Sequence, residues 1–278
     1  MITSFDDPRV ELAQSLLGEV RVLPDPSLPH RLLRLSDTDG HEFVAKQHSA
    51  RDRYFHELHA YEAWGAHLKG HAPDLVGRRD STYTLLLTAV PGVRVDTVSP
   101  GSPEEERSHY EAGRVLGKLH HATSVRRSGA VGTELSQRLR DWIARADQAA
   151  LLSEAERDHL SHSAAVLANT RMDSAVCHLD YQPRNWILGA SFWVCDFEHM
   201  RRDARVRDFT RLEFRRWQAA PHLRTAFFAG YGARLNESEQ RLLESFGAVE
   251  AVTALVRGHE KGDLALSAHG RTVLSRLA

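Results

Sequence analysis

The period of apolar residues changes near residue 90. Before it, short alternating runs read as strands: Glu19 to Leu23 (EVRVL), Arg31 to Leu35 (RLLRL), Glu42 to Gln47 (EFVAKQ) and Thr82 to Ala89 (TYTLLLTA). Pro24, Pro26 and Pro29 break the chain after the first run, and Thr38-Asp39-Gly40 supplies a turn after the second. Such close spacing implies an antiparallel sheet. Two helices accompany it. Asp7 as N-cap with Pro8 in the first position opens one that reaches about Gly18. The other spans Asp52 to Leu68, with Leu58, Tyr61, Trp64 and Leu68 along one face.

Beyond Pro91-Gly92 the pattern turns helical. Ser102-Pro103-Glu104-Glu105 joins an N-cap, a first-turn proline and acids suited to the helix dipole. The helix it starts carries Ala112, Val115, Leu116 and Leu119 on one stripe. Ser153 and Glu156 form a capping-box pair, and Leu242, Phe246, Val249, Thr253 and Val256 make a late helical stripe. One island, Ala175 to Glu198, breaks this pattern with three short apolar strands. The fold class that follows is α+β: a strand-rich part over residues 1–90 and a helical part over 91–278.

Composition adds exclusions. Net charge is −1 and no stretch approaches 18 uncharged apolar residues, so neither a nucleic-acid binder nor a membrane protein is expected. Two cysteines, Cys177 and Cys195, provide no disulfide framework, and each precedes a polar motif as a core thiol. The first eight residues lack the apolar run of a secretory signal, so a cytoplasmic protein is expected. Of 36 Lys and Arg residues only four are lysine: Lys46, Lys69, Lys118 and Lys261. Codon usage in a GC-rich genome explains the bias and draws attention to each lysine that remains.

The island carries the chemistry. His178-Leu179-Asp180-Tyr181-Gln182-Pro183-Arg184-Asn185 lies between two strands, and a third strand runs into Asp196-Phe197-Glu198. Asp180, Asn185 and Asp196 sit at strand ends, where side chains converge on one cleft. They are hard oxygen donors and suit Mg²⁺ better than zinc.

HxDxxPxN followed 11 residues later by DFE resembles the catalytic loop and metal motif of the aminoglycoside phosphotransferase family. The order of the chain, a strand-rich part with a lysine and then a helical part with the loop, is similar too. The resemblance implies a protein-kinase-like two-lobed fold and an ATP-dependent phosphotransferase, with GTP as the other nucleotide. Asp180 then corresponds to the catalytic acid–base residue, and Asn185 and Asp196 to the Mg²⁺ ligands. His178 and Asp208 correspond to supports of the loop, and Lys46 to the phosphate-binding lysine. Glu57 is its partner, with Glu62 the second candidate. Thr88 to Val90 falls where the hinge would bind the base. The loop from Pro24 to His30 lacks glycine, and Ser27 is its candidate phosphate donor. DFE in place of DFG points to a small-molecule kinase.

Two further patterns are rejected. Gly113, Gly117 and Lys118 imitate a phosphate-binding loop, but inside a helical stripe and one residue short. His56-Glu57-Leu58-His59 has the wrong spacing for a zinc helix. The resemblance implies a hydroxylated small molecule as acceptor, bound by a monomer or homodimer. An antibiotic leads, ahead of a nucleoside, sugar or amino alcohol; a non-catalytic nucleotide-binding protein is the other class. Candidate acceptor residues are Asp141, Glu198, Glu213 and Trp217. Thr210 to Ala278 holds 7 acidic and 10 basic residues, which gives no support to a strongly cationic substrate.

Overall fold

A computed structural model describes residues 7–128 and 130–277. Helix α1 (Pro8–Leu17) is capped by the Asp7 carboxylate, which accepts from Arg9 N at 2.9 Å, and it stops at Gly18, whose φ is 80°. Five strands follow: β1 (Arg21–Leu23), β2 (Leu32–Ser36), β3 (Glu42–Gln47), β4 (Leu75–Arg79) and β5 (Thr84–Thr88). They form one antiparallel sheet in the order β1-β2-β3-β5-β4. Helix α2 (Arg51–Trp64) leaves β3, and a 3₁₀ turn (Gly65–Leu68) finishes the helical segment. The residues beyond Trp64 therefore tighten instead of continuing the α-helix expected to residue 68.

The sheet is covered on both sides. Leu12 and Ala13 of α1 pack with Leu35, Phe43, Ala45 and Leu86. On the other side Tyr54, Leu58 and Tyr61 of α2 join Leu85 and Leu87 in the main core, which runs on into the helical region. Strand β4 was not expected from the sequence. Its run, LVGRR, alternates poorly, and its register shifts between Leu75 and Gly77. The tip of the Leu16 side chain fills the space beside Gly77 where a Cβ would be.

The rest of the chain is built on helices. They are α3 (Pro103–Thr123), α4 (Ala130–Gln148), α5 (Glu154–Asn169), α6 (Arg207–Leu212), α7 (Pro221–Tyr231), α8 (Glu237–Lys261) and α9 (Leu264–Leu277). Ser102 caps α3, and α5 and α8 open with full capping boxes, Ser153 with Glu156 and Asn236 with Glu239. Among them run β6 (Val93–Arg94), β7 (Val125–Ser128), β8 (Met172–Cys177), β9 (Trp186–Leu188), β10 (Phe192–Val194) and β11 (Arg201–Ala204). They make two small sheets, β10-β9-β6 and β11-β8-β7. Strands β6, β7 and β11 escape a sequence reading because each is short and polar. Their pairing with β8 or β9 makes them strands.

Helices α3 and α7 lie almost backbone to backbone. A Cβ on Gly113 would collide with Phe227 O, and one on Gly230 would collide with Tyr110 O. The glycines that imitate a phosphate loop thus serve helix packing, and Lys118 is exposed on the far face of α3. No helix among the described residues is long and apolar enough to cross a membrane.

Candidate active site

The site begins where β8 ends. Leu179, just beyond it, adopts a left-handed conformation with φ 63°, a strain of roughly 1–2 kcal/mol for a non-glycine residue. Asp208 of α6 holds it in place. Its carboxylate accepts from His178 N at 2.9 Å and from Leu179 N at 2.6 Å. A third partner is His120 Nε2 at 3.0 Å. Arg205 donates to the Tyr231 hydroxyl at 3.1 Å, and that hydroxyl lies 3.0 Å from His120 Nδ1. Because the Asp208 carboxylate only accepts, the Nε2–H of His120 donates to it, which leaves Nδ1 to accept from the Tyr231 O–H. Burial opposes the Asp208 charge, but the His120 bond and the Leu179 amide outweigh it and hold the carboxyl below its ordinary range.

His178 ties the loop to the strand end that precedes Asp196. Its Nδ1 accepts from Asp180 N at 3.3 Å, and its Nε2 donates to Cys195 O at 3.0 Å. Burial lowers the pKa of His178, and of His109 in α3, below the ordinary 6.5. The unfolded chain takes up these protons below about pH 6.5 while the folded chain resists them, so their contribution is complete above that pH and declines beneath it. The expected Tm is flat from pH 8 to 7 and falls between pH 6.5 and 5. A melting curve unchanged over that lower range would refute the assignment.

Asp180 is buried, and each of its carboxylate oxygens meets two donors. Oδ1 accepts from Gln182 Nε2 at 2.6 Å and pairs with the Arg211 guanidinium. Oδ2 accepts from Arg184 at 2.7 Å and from Asn185 Nδ2 at 2.8 Å. Asn185 Nδ2 also donates to Asp180 O at 2.9 Å, which turns its amide oxygen away from Asp180. Sequence reading missed Arg184 and Arg211. Arg184 stands inside the quoted motif and was legible; Arg211 reaches Asp180 only through the placement of α6.

Lys46, in β3, is buried between Glu57 Oε2 and Asp196 Oδ1, each at 2.6 Å. Burial opposes its charge; the two carboxylates outweigh that and raise its pKa. Glu57 also meets His48 at 2.9 Å and accepts from Phe197 N at 3.2 Å. Glu62 is engaged elsewhere, with Arg78 at 2.5 Å. Asp196 has φ 70°. Its second oxygen meets Arg31 at 2.9 Å, and Arg31 also pairs with Glu198 at 3.0 Å. Burial opposes the Asp196 charge, yet Lys46 and Arg31 hold its carboxyl far below the usual range.

Cys195 N donates to Asn185 O at 2.9 Å, which sets the loop and the DFE segment side by side. Their side chains offer a carboxylate and an amide oxygen, hard donors that fit Mg²⁺. Phe197 packs edge-on against Tyr61 of α2 at 5.2 Å and against His178 at 5.5 Å. Burying this ring contributes roughly 1.5–3 kcal/mol and links α2 to the loop.

The remaining expected residues are dispersed. Ser27 is exposed and donates to Asp25 at 2.5 Å. Thr88 anchors the start of β4: its amide donates to Asp74 O at 3.0 Å and its hydroxyl accepts from Asp74 N at 2.9 Å. Val90 follows at the exit of the sheet and is half-buried.

The candidate acceptor residues do not meet at Asp180. Trp217 is buried in the core against Phe227. Asp141 lies exposed on α4 beside Gln137, Glu213 pairs with Arg224, and Glu198 faces Arg31 and Arg53 near the sheet. The cavity beside the loop, about 130 Å³, is bounded instead by Leu179, Trp142, Thr210, Glu250 and four arginines, Arg138, Arg207, Arg211 and Arg257. Cys177 is buried and Cys195 partly so, and burial pushes both thiols up, Cys195 to about 12; both are free.

The whole arrangement has solved counterparts. A choline/ethanolamine kinase family protein from Mesorhizobium loti matches at 17% identity with a TM-score of 0.67, over 97% of this chain and 92% of that one. Macrolide 2'-phosphotransferase MphH from Brachybacterium faecium matches at 16% identity and TM-score 0.62, over 92% of each chain. The ADP-bound aminoglycoside phosphotransferase APH(2'')-Ib matches at 16% identity and TM-score 0.61, over 95% of each. These likenesses establish the kinase-like α+β fold. No curated protein sequence matches the chain. The model of the phosphotransferase enzyme family matches residues 20–243, most of the length and all of the loop, DFE segment and Lys46 cluster just described, and the chain belongs to that family.

Proposed function

We propose that the chain transfers the terminal phosphoryl group of ATP to a hydroxyl of a small molecule. The observation that carries this reading is the position of Asp180. On one side it touches Asn185, next to the Lys46–Asp196 pair; on the other it touches Arg211 at the wall of the cavity.

The nucleotide would lie between the sheet and the loop, its base near Thr88 to Val90 and its phosphates at Lys46. Asn185 and Asp196 would hold Mg²⁺, which when bound offsets the charge on the phosphates. Asp180 aligns the acceptor hydroxyl and takes its proton as the new oxygen–phosphorus bond forms. The bond to the β-phosphate oxygen breaks and ADP leaves. Arg184, more than half exposed, places a cation where the transferred group passes. Lys46, held by Glu57, contributes a compact charge to the phosphates, so most of the catalysis is positioning and electrostatics. The ADP-bound relative supports an adenine nucleotide, with GTP the alternative.

One observation favours a second reading. Asp180 is already saturated by four donors, as a non-catalytic nucleotide-binding protein would tolerate. Turnover separates the two. Purified protein with ATP and Mg²⁺ is offered hydroxylated antibiotics, sugars, nucleosides, amino alcohols and hydroxy acids, each read by mass for the gain of one phosphoryl group. A phosphorylated acceptor is the expected result. Tight nucleotide binding with no product across the panel would establish the binding-protein reading instead.

A further inference from the structure

We propose that the acceptor carries an anionic group, a carboxylate or a phosphate, and that this group sits on the arginines of the cavity beside Asp180. The inference rests on the reading of Asp180 as the residue that faces the acceptor, and it names the chemical class of that acceptor.

The charge in the cavity is lopsided. Four arginines line it against one acid, Glu250. That acid is already neutralised, by Arg215 at 2.5 Å and His269 at 3.2 Å, and is held down at about 2. Arg207 and Arg211, one helical turn apart on α6, pair with Asp203 and Asp180. Arg138 of α4 and Arg257 of α8 have no carboxylate partner among the described residues. Arg257 lies instead over the Trp142 ring, at 5.4 Å from its centre, with Arg145 at 4.2 Å. Burial lowers the Arg211 guanidinium to about 10; Glu250 opposes the shift, and Arg215 and Arg257 add to it. Cations crowded into a half-closed space repel one another until an anion enters. Guanidinium groups there present the paired donors that a carboxylate or phosphate accepts in bidentate fashion.

A second observation is independent of charge. Thr210 also lines the cavity. It is 8% exposed, and its hydroxyl has no hydrogen-bond partner. The volume is consistent: 130 Å³ holds roughly four water molecules, room for one oxyanion head with a short carbon arm. A polycation would find little here, because the acids expected to receive it lie elsewhere.

The anion would also act on Asp180. In its absence Arg211 sits on Oδ1, the oxygen that Gln182 also bonds. An arriving oxyanion competes for that guanidinium and draws it from Oδ1, which leaves Gln182 on that oxygen and frees its other lone pair for the acceptor hydroxyl. Binding and activation of the base are thereby coupled.

The test uses four probes on one small scale: glycerate, glycerol phosphate, glycerol and glucosamine, titrated into the full chain by calorimetry. At least one of the two anions is expected to bind ten-fold or more tighter than glycerol and glucosamine, and which one wins tells carboxylate from phosphate. Arg138→Met with Arg257→Met is expected to remove this preference at an unchanged Tm. Arg257→Met alone, at an exposed side chain, serves if the double variant unfolds. Preference for glucosamine, equal affinity for all four, or anion binding that survives both substitutions and is displaced by ATP would each overturn the proposal. Failure of the kinase reading looks different: the anion binds, the arginine variants lose it, and no probe is phosphorylated with MgATP.

Discussion

Asp180→Asn is expected to lower kcat by about 10²–10⁴-fold, the usual range for removing a positioned general base. The substitution keeps the shape of the side chain and one oxygen acceptor. It removes the capacity to take the hydroxyl proton and the charge that Arg184 and Arg211 share. The KM for the acceptor should change far less than kcat, because the Asp208 bonds to the His178 and Leu179 amides and the His178 bond to Cys195 O still hold the loop. Steady-state kinetics and circular dichroism on the same preparation check both halves. A variant that turns over within a few-fold of the parent would remove Asp180 from the mechanism.

Lys46→Met has the largest expected effect on the fold. Breaking a buried ion pair by removing one partner costs about 3–5 kcal/mol, because the partner's charge is left buried and unpaired. Here the partner is Glu57, fully buried on α2, which would retain only His48 and the Phe197 amide. Asp196 would still have Arg31. Chemical denaturation should therefore show a large loss for Lys46→Met, and Lys46→Met with Glu57→Gln should recover part of it by removing the stranded charge. Lys46→Arg keeps the charge but brings a wider group into a space bounded by two carboxylates 2.6 Å from the ammonium, so both stability and transfer should suffer. Equal stability of Lys46→Met and the parent would show that the cluster contributes nothing to folding.

The residues that announce themselves in the sequence share one property: their role depends on neighbours close along the chain. Asp180, Asn185 and His178 lie within eight positions, so their spacing alone identifies them as one loop, although Asp208 is needed to hold its strained backbone. The helix caps Asp7, Ser102, Ser153 and Asn236 act within one turn, and the first three were legible for that reason. Choosing Glu57 over Glu62 required more, because both lie on α2 and the direction of each depends on how α2 sits against β3. Packing turns Glu57 inward to Lys46 and leaves Glu62 beside Arg78.

The cavity beside Asp180 shows where that limit falls. Its walls come from α4, from the loop after β8, from α6 and from α8, segments more than a hundred residues apart at the extremes. The fold places Glu198, Asp141, Glu213 and Trp217 elsewhere. A surplus of basic residues from Thr210 onward was visible, but whether those charges meet or scatter depends on helix rotation. Arg31 follows the same rule: it is the last residue before β2, and only the approach of the sheet to the DFE segment sets it on Asp196 and Glu198.

By itself, then, the sequence determined the α+β class, the loop with its base and metal-ligand candidates, and the lysine kept in an arginine-rich chain. Each of these is written in local spacing, where a few backbone angles set the outcome. Tertiary structure alone decided which glutamate serves Lys46, how Asp208 reaches back to two loop amides, and that the space beside Asp180 is lined by guanidinium groups. Those outcomes depend on long-range packing, in which a helix rotated by one residue presents a different charge to the site.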